Sequence, residues 1–502
     1  MKYNQFDKWF ALMCSMVCGG STLQSKNYFP NVTPNIIFIY TDDQASWDIG
    51  VSGNEQVHTP NLDRLAAEGA YLRNFFTTTP VSTPARASLM TSQYACESGL
   101  SDFIPKPGHK LYNPDVDLGL PTETLTFAEI LRQNGYKTGL VGKWHLGDWL
   151  NDATRKYHPT NYGFDYFMGL TGGGTVPVNP PLEKEGIVRD MVGFTTDILT
   201  EDAMEFIKNN ADHPFLLCLN YRAPHSPWLP VKEEDWALYE NMNPIISNPD
   251  YPDLDTELVK SKLKEYMAST SGVDRNVGRI LALLEKMCLD KNTIVIYTSD
   301  NGYNMGHNGI EHKGNGYWIT KTPHPAQGNI SENSRPNMYD NSLKVPAIVK
   351  WPGVIKPGTV IEENATCMDW YPTLVEMGKS KIPDHKIIRG RSLVNLLKGE
   401  SVEKWDNDVY AEYSMVYYSK AYMRTYRTPE WKLIVDFLNE GRNELYNLRQ
   451  DSAEAHNLIN LQSEEIKKVT KDLYGKIISK MKEIKDPLLR TLDRKVKESS
   501  KK

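Results

Sequence analysis

The sequence predicts an α/β fold: a large, mainly parallel sheet sandwiched by helices, with a smaller C-terminal antiparallel sheet plus helix. Three observations predict it. Short, largely apolar runs recur at residues 35–40, 137–141, 215–219 and 293–297, and such runs mark strands buried on both faces. Helical patterns lie between them, and strands alternating with helices imply a parallel sheet. After residue 400 the texture turns rich in Tyr and Val with short turns, as in an antiparallel meander.

In chain order, residues 1–24 predict an export signal. Lys2 and Lys8 flank a short apolar stretch, 9–17, followed by Gly19, Gly20 and Ser21. The stretch is too short to span a membrane, and no other segment approaches a transmembrane span. The expectation is a secreted or periplasmic protein. Lipid attachment at Cys18 stays open, because Cys18-Gly19 suits it and Ser15-Met16-Val17 is a poor lead-in. A large domain over 33–400 is expected next, with helices near 61–69, 124–134 and 273–287. A smaller α+β unit follows over 401–490, with strands near 408–418, 421–426 and 430–435 and a helix near 463–482. Residues 491–502 form a basic tail that reads as a solvated helix end.

The chain has 502 residues and a net charge of -6, which points away from nucleic acid, whose binders carry a basic surplus. An anionic small substrate would need a local cluster of cations. Cys14, Cys18, Cys96, Cys218, Cys288 and Cys367 form no CxxC pair, so a zinc site has no support; reduced thiols or a single disulfide remain open.

The chemistry-bearing residues follow the apolar runs. The first run enters Thr41-Asp42-Asp43, the second Gly142-Lys143-Trp144-His145, the third Arg222-Ala223-Pro224-His225, and the fourth Ser299-Asp300-Asn301-Gly302. Ligands bind beyond the carboxyl ends of parallel strands, so these clusters are expected to converge. Asp42, Asp43, Asp300 and Asn301 offer oxygen ligands only, which suits a hard cation. Pro84 marks a helix start, placing Ser82 at or beside the N-cap and Arg86 one turn along. Lys143, His145 and His225 add a cation and two groups that titrate near neutrality. A cation site, serine, arginine, lysine and two histidines at one sheet edge describe a site for a tetrahedral oxyanion.

Ser82-x-Pro84-x-Arg86, with Leu89-Met90-Thr91 behind it, resembles the signature of the type I sulfatases of the alkaline-phosphatase superfamily. The resemblance runs through Thr59-Pro60-Asn61-Leu62-Asp63, Gly142-Lys143-Trp144-His145, Ala223-Pro224-His225 and Ser299-Asp300-Asn301-Gly302 to Glu444-Leu445-Tyr446-Asn447-Leu448. It implies that Ser82 is converted to formylglycine, whose hydrate attacks sulfur and then expels sulfate. Serine at this position is similar to the bacterial type, matured by a radical enzyme. Asp42, Asp43, Asp300 and Asn301 match the family's calcium ligands, with residue 82 as another. Arg86 and His145 match groups that stabilise the nucleophile; Lys143 and His225 match sulfate-holding groups, His225 also protonating the leaving oxygen. The signature usually ends Thr-Gly, and here Ser92 follows Thr91.

The resemblance leaves the second sulfate-binding cation between Lys313 and Arg335. Lys313 is favoured, with 314–336 read as an inserted loop. That loop, carrying Tyr317, Trp318 and His324, together with His307 and His312, is the expected sugar subsite; Gly172-Gly173-Gly174 is a second candidate rim. The expected reaction is exo-acting removal of sulfate from a sulfated sugar. The alternatives are a phosphate-ester or diester hydrolase of the same superfamily and a non-catalytic binder of sulfated glycans.

Overall fold

The computed structural model describes residues 33–150 and 152–492. The export signal, Cys14, Cys18 and the basic tail from residue 493 onward lie outside the described residues.

A ten-stranded sheet forms the centre of the molecule. Its middle holds Thr293–Ser299, Asn35–Thr41, Phe215–Asn220, Lys137–Lys143 and Tyr166–Leu170 side by side, all parallel. Ala347–Lys350 continues it antiparallel on one side, and Pro181–Lys184 with Ile187–Asp190 on the other. The four apolar runs are thus adjacent strands. Side chains alternate across a strand, and the cores follow that period. Ile36, Phe38, Leu216, Cys218, Ile294 and Ile296 enter one buried cluster. Ile37, Ile39, Leu217, Leu219, Val295 and Tyr297 enter the cluster on the opposite face. Each such side chain contributes roughly 1.5–3 kcal/mol when fully buried, so truncation at Leu217 would cost about 2–5 kcal/mol.

Helices cover both faces. Ser82–Thr91, Phe127–Gln133 and Trp370–Met377 feed the first cluster. Pro60–Ala67, Thr195–Asn209 and Thr256–Lys286 feed the second. The last of these begins well before residue 273, where the sequence pattern placed its start. Its first turns are lysine-rich, with only Val259, Leu263, Tyr266 and Met267 buried, and Asp255 caps it by accepting from the Leu258 N–H. A capped polar helix start carries a weak apolar period, and the packing decides it.

The smaller sheet is an antiparallel meander of Val409–Met415, Ala421–Arg427, Trp431–Asp436 and Glu444–Asn447. Helix Glu464–Glu483, capped by Ser463, packs on it. Residues 314–336 are not purely loop: Asn315–Trp318 pairs with Ile310–Glu311 and with Ser334–Pro336. Among the described residues all four cysteines are free thiols, and no helix is long and apolar enough to cross a membrane.

Candidate active site

Register brings the polar clusters together. Tyr40 and Gly142 both pair with Asn220, and Thr41 pairs with Ser299. The next residues of each strand therefore emerge in one row, with neighbouring strands about 4.8 Å apart. Asp42, Asp43, Asp300 and Asn301 come to lie together there, wholly buried.

Ser82 is the first residue of its helix, with Val81 at the N-cap. Its Oγ donates to Asp42 Oδ1 at 2.9 Å. The ammonium groups of Lys143 and Lys313 each lie 3.3 Å from the same Oγ. Lys143 also bonds Asp42 Oδ2 at 2.6 Å, and Lys313 bonds Asp43 Oδ1. Arg86 donates from Nε to Asp300 Oδ2 at 3.0 Å and lies 4.9 Å over the Tyr40 ring. Asn301 Nδ2 donates to Asp43 Oδ1 at 2.8 Å. Asp43 has a φ of 66°, a conformation that aspartate tolerates better than most side chains, and Tyr266 fixes it by donating to its carbonyl at 2.7 Å.

The electrostatics are those of a balanced floor. Burial alone would raise the carboxyls of Asp42 and Asp43. The cations Lys143 and Lys313, with His225, outweigh it and hold both well below the usual carboxylate range. Burial pushes the Lys143 ammonium down against the pull of Asp42; for Lys313 the pull of Asp43 wins and its pKa is raised. Asp42, Asp43 and Asp300 face Lys143, Lys313 and Arg86, three charges against three.

The two histidines are in place above this floor. His145 Nε2 donates to the Ile104 carbonyl at 3.1 Å, which leaves Nδ1 as the bare acceptor. Burial first, then Lys143, keeps this ring neutral. Gly173 packs on it: a Cβ there would stand 2.4 Å from His145 Nε2. His225 donates from Nδ1 to the Ser226 carbonyl at 2.6 Å, and its Nε2 lies 3.8 Å from Asp43 Oδ2. Burial lowers its pKa, opposed by Asp43 and Asp42.

A metal would fit the floor. Asp43 Oδ2 and Asn301 Oδ1 are buried oxygens without a hydrogen-bond partner, a costly arrangement unless something positive meets them. The expected ligand set was free of histidine in sequence. In space the Asp42, Asp43 and His225 ligand atoms lie within 4.8 Å of one another, because the third strand delivers His225 beside the first.

A cavity of about 480 Å³ opens over Ser82. Lys143, His145, His225, His312, Lys313 and Tyr317 line it. His312 donates from Nδ1 to Asn315 Oδ1 at 2.8 Å, and burial lowers its pKa to about 4. Two expected substrate contacts lie elsewhere. Arg335 bonds Glu444 and the Tyr339 hydroxyl, on the far side of the strand that Asn315–Trp318 forms; Lys313 is the cation that reaches Ser82. His307 bonds the Ala453 carbonyl at 2.7 Å and joins the C-terminal segment. Trp318 and His324 stack on each other with centroids 4.2 Å apart, so of the loop's aromatics Tyr317 meets the cavity. No motif marks Phe103, Lys106 or His109, from one long loop, nor Tyr418, from the meander's first hairpin; all four line the cavity.

The sulfatase family profile matches residues 34–379. The chain belongs to the sulfatase family. A second profile, N-sulphoglucosamine sulphohydrolase, C-terminal, matches residues 333–483. The chain is 31% identical to an ulvan-active sulfatase of Formosa agariphila over 378 residues, 74% of this chain and 66% of that protein. It is 28% identical to human steryl-sulfatase over 468 residues, 78% of this chain and 73% of that one. It is 25% identical to an N-acetylglucosamine-6-O-sulfatase of Bacteroides thetaiotaomicron over 90% of this chain and 87% of the other. A solved structure in complex with D-glucosamine-2-N,6-O-disulfate superposes with a TM-score of 0.74 over 91% of this chain and 99% of that one, at 23% identity. The sulfatase is thus a sulfuric ester hydrolase with the alkaline-phosphatase-like fold.

Proposed function

We propose that this sulfatase is an exo-acting carbohydrate O-sulfatase of the secreted or periplasmic space, using formylglycine at position 82 and one calcium ion. The observation that carries the reading is the Ser82 Oγ, held by Asp42 at 2.9 Å and by two lysines at 3.3 Å on the floor of a cavity. Residues 33–400 carry this chemistry in our reading, and residues 401–490 complete the rim.

Asp42, Asp43, Asp300 and Asn301, with residue 82, would hold the ion; all are oxygen donors, as calcium prefers. Bound there, it would polarise the oxygen at position 82 and neutralise the arriving ester. Hydrated formylglycine would carry two hydroxyls on one carbon, so that after one is sulfated the other could lose its proton, expel sulfate and restore the aldehyde. Conversion would fall to a serine-type radical maturase. Around that group the chain's own residues divide the work. Lys143 and Lys313 bind sulfate oxygens as charge builds on them. Arg86 and neutral His145 hold the nucleophile in place. His225, fixed by Ser226 at its Nδ1, presents Nε2 to the bridging oxygen and, when protonated there, gives that proton to the departing sugar oxygen.

Relatives named for ulvan and for N-acetylglucosamine favour a sugar substrate, and the steryl-sulfatase relative makes a sterol sulfate the control. The test is sulfate release from a panel of sulfated mono- and oligosaccharides, aryl sulfate, steryl sulfate and phosphate esters. The protein is co-expressed with the maturase and supplied with calcium. Turnover of one sugar at one position supports the reading. Silence on every sugar, with peptide mass confirming formylglycine at position 82, would overturn it.

A further inference from the structure

Two cavities of similar size share one short wall and differ in charge. The cavity over Ser82, about 480 Å³, is lined by Lys106, Lys143, Lys313 and four histidines, and by no aspartate or glutamate. Its neighbour, about 470 Å³, starts at the same Ile104 and Pro105 but is lined by Asp117, Asp148 and Asp152, with Lys156 as its lysine. Asp42 and Asp43 balance Lys143 and Lys313 on the floor, so Lys106 is the charge of this lining that the floor does not offset, and an unbalanced charge at a low-dielectric cleft selects ligands of the other sign. The active-site cavity is therefore built for anions beyond its floor, and the adjoining cavity is not.

Lys143 and Lys313 already bond the floor carboxylates and approach Ser82. Lys106 does neither. Among the described residues it has no acidic partner within ion-pair distance, and it is exposed at the rim. Its position is nonetheless fixed. Two residues earlier, the Ile104 N–H donates to Thr83 Oγ1 at 3.3 Å and the Ile104 carbonyl receives His145. Two residues of chain span at most about 7 Å, so the Lys106 backbone stays close to the nucleophile helix. The glycine rim lies beside it: a Cβ on Gly172 would make ordinary van der Waals contact, 3.4 Å, with the Lys106 Cβ. Beside it Phe103 stacks on Tyr418 at 5.7 Å and 20°, an apolar flank of the sort that lies against a sugar ring.

We propose that Lys106 is a specificity-determining residue that binds a second anionic group, a carboxylate or a second sulfate, on the sugar that carries the scissile ester or on its neighbour. The preferred substrate is then a fragment of a polyanionic glycan, not a neutral sugar bearing one sulfate. This rests on the reading of the enzyme as a carbohydrate sulfatase.

The test compares the matured full-length enzyme with its Lys106→Gln and Lys106→Arg variants. The substrates are a neutral monosulfated sugar, its disulfated form, the same monosulfated sugar joined to a uronate, and an aryl sulfate. We expect the wild type to favour a dianionic sugar. Lys106→Gln should cut that preference, the ratio of kcat/KM values, about five- to tenfold through KM, as for loss of a charge-assisted hydrogen bond. Lys106→Arg should keep most of it. Preference for the disulfated sugar alone identifies the second group as sulfate, and preference for the uronate alone identifies a carboxylate. Equal use of the neutral monosulfate by the wild type, or a preference that survives Lys106→Gln, overturns the proposal. No turnover of any sugar by formylglycine-bearing enzyme would instead sink the carbohydrate reading, and this proposal with it.

Discussion

The floor and the rim of this site are built on different terms. The floor's carboxylates directly follow parallel strands, wholly buried and charge-paired, and all four strands that feed the floor are locked in register through Asn35–Thr41 and Phe215–Asn220. The rim comes from the long loop around Phe103–Lys106, the glycine loop near Gly173, the strand Asn315–Trp318 and the hairpin that carries Tyr418. Chemistry needs sub-ångström placement and sits on the rigid edge; recognition tolerates variation and sits on loops. The difference predicts that floor substitutions abolish turnover, whereas rim substitutions redistribute it among substrates.

The largest effect is expected at Ser82. Ser82→Ala should lower sulfate release at least about 1,000-fold, as removal of a covalent nucleophile does, and peptide mass should find no aldehyde at position 82. Retained activity would break the floor's claim to the chemistry. Next comes the metal. Chelation should lower both activity and Tm, and calcium should restore both, because a ligand bound only to the folded state stabilises it. An unchanged Tm with EDTA would mean that the orphaned oxygens of Asp43 and Asn301 meet no ion.

At the rim, Tyr418→Ala should raise KM for a sugar substrate about three- to tenfold while kcat changes less than twofold, consistent with losing about 1 kcal/mol of ring contact. A fall in kcat with KM unmoved would place Tyr418 with the floor. The last effect bears on stability, not turnover, and concerns what joins the rim together. Asp102 accepts from the Phe103 and Val416 N–H groups, both at 2.9 Å, tying the loop to the hairpin. Burial pushes its carboxyl up from 3.8 to about 6. The folded protein therefore binds its proton more tightly than the unfolded chain does. This group's drag on stability is full above pH 6 and relaxes as pH falls toward 4. Relative to Asp102→Asn, the wild type should gain up to about 2–3 kcal/mol between pH 7 and pH 4. Parallel unfolding curves across that range would show that Asp102 titrates normally.

The same contrast governs what could be read in advance. Asp42, Asp43, Lys143, His225, Asp300 and Asn301 follow apolar runs by a few residues, so local pattern and the rule for parallel sheets located them together. Lys313 and Arg335 could not be separated that way. Lys313 follows Gly309-Ile310 and Arg335 stands four residues before Tyr339-Asp340, and only pairing of Arg335 with Glu444 takes it off the site. His307 and His312 are close in sequence, but between them the strand Ile310–Glu311 turns one toward Ala453 and leaves the other at the cavity.

By itself the sequence determined the strands, their alternating cores and the catalytic edge, because periodicity and burial are properties of short segments. It also determined the floor's carboxylates and Lys143, since residues at strand ends inherit their position from the strand. Only the tertiary structure decided which cation reaches Ser82, that a histidine adjoins the aspartates, and that a C-terminal hairpin supplies Tyr418 to the rim. Those facts depend on contacts between segments hundreds of residues apart, such as Val416 with Asp102 at a separation of 314, and no local pattern encodes such a meeting.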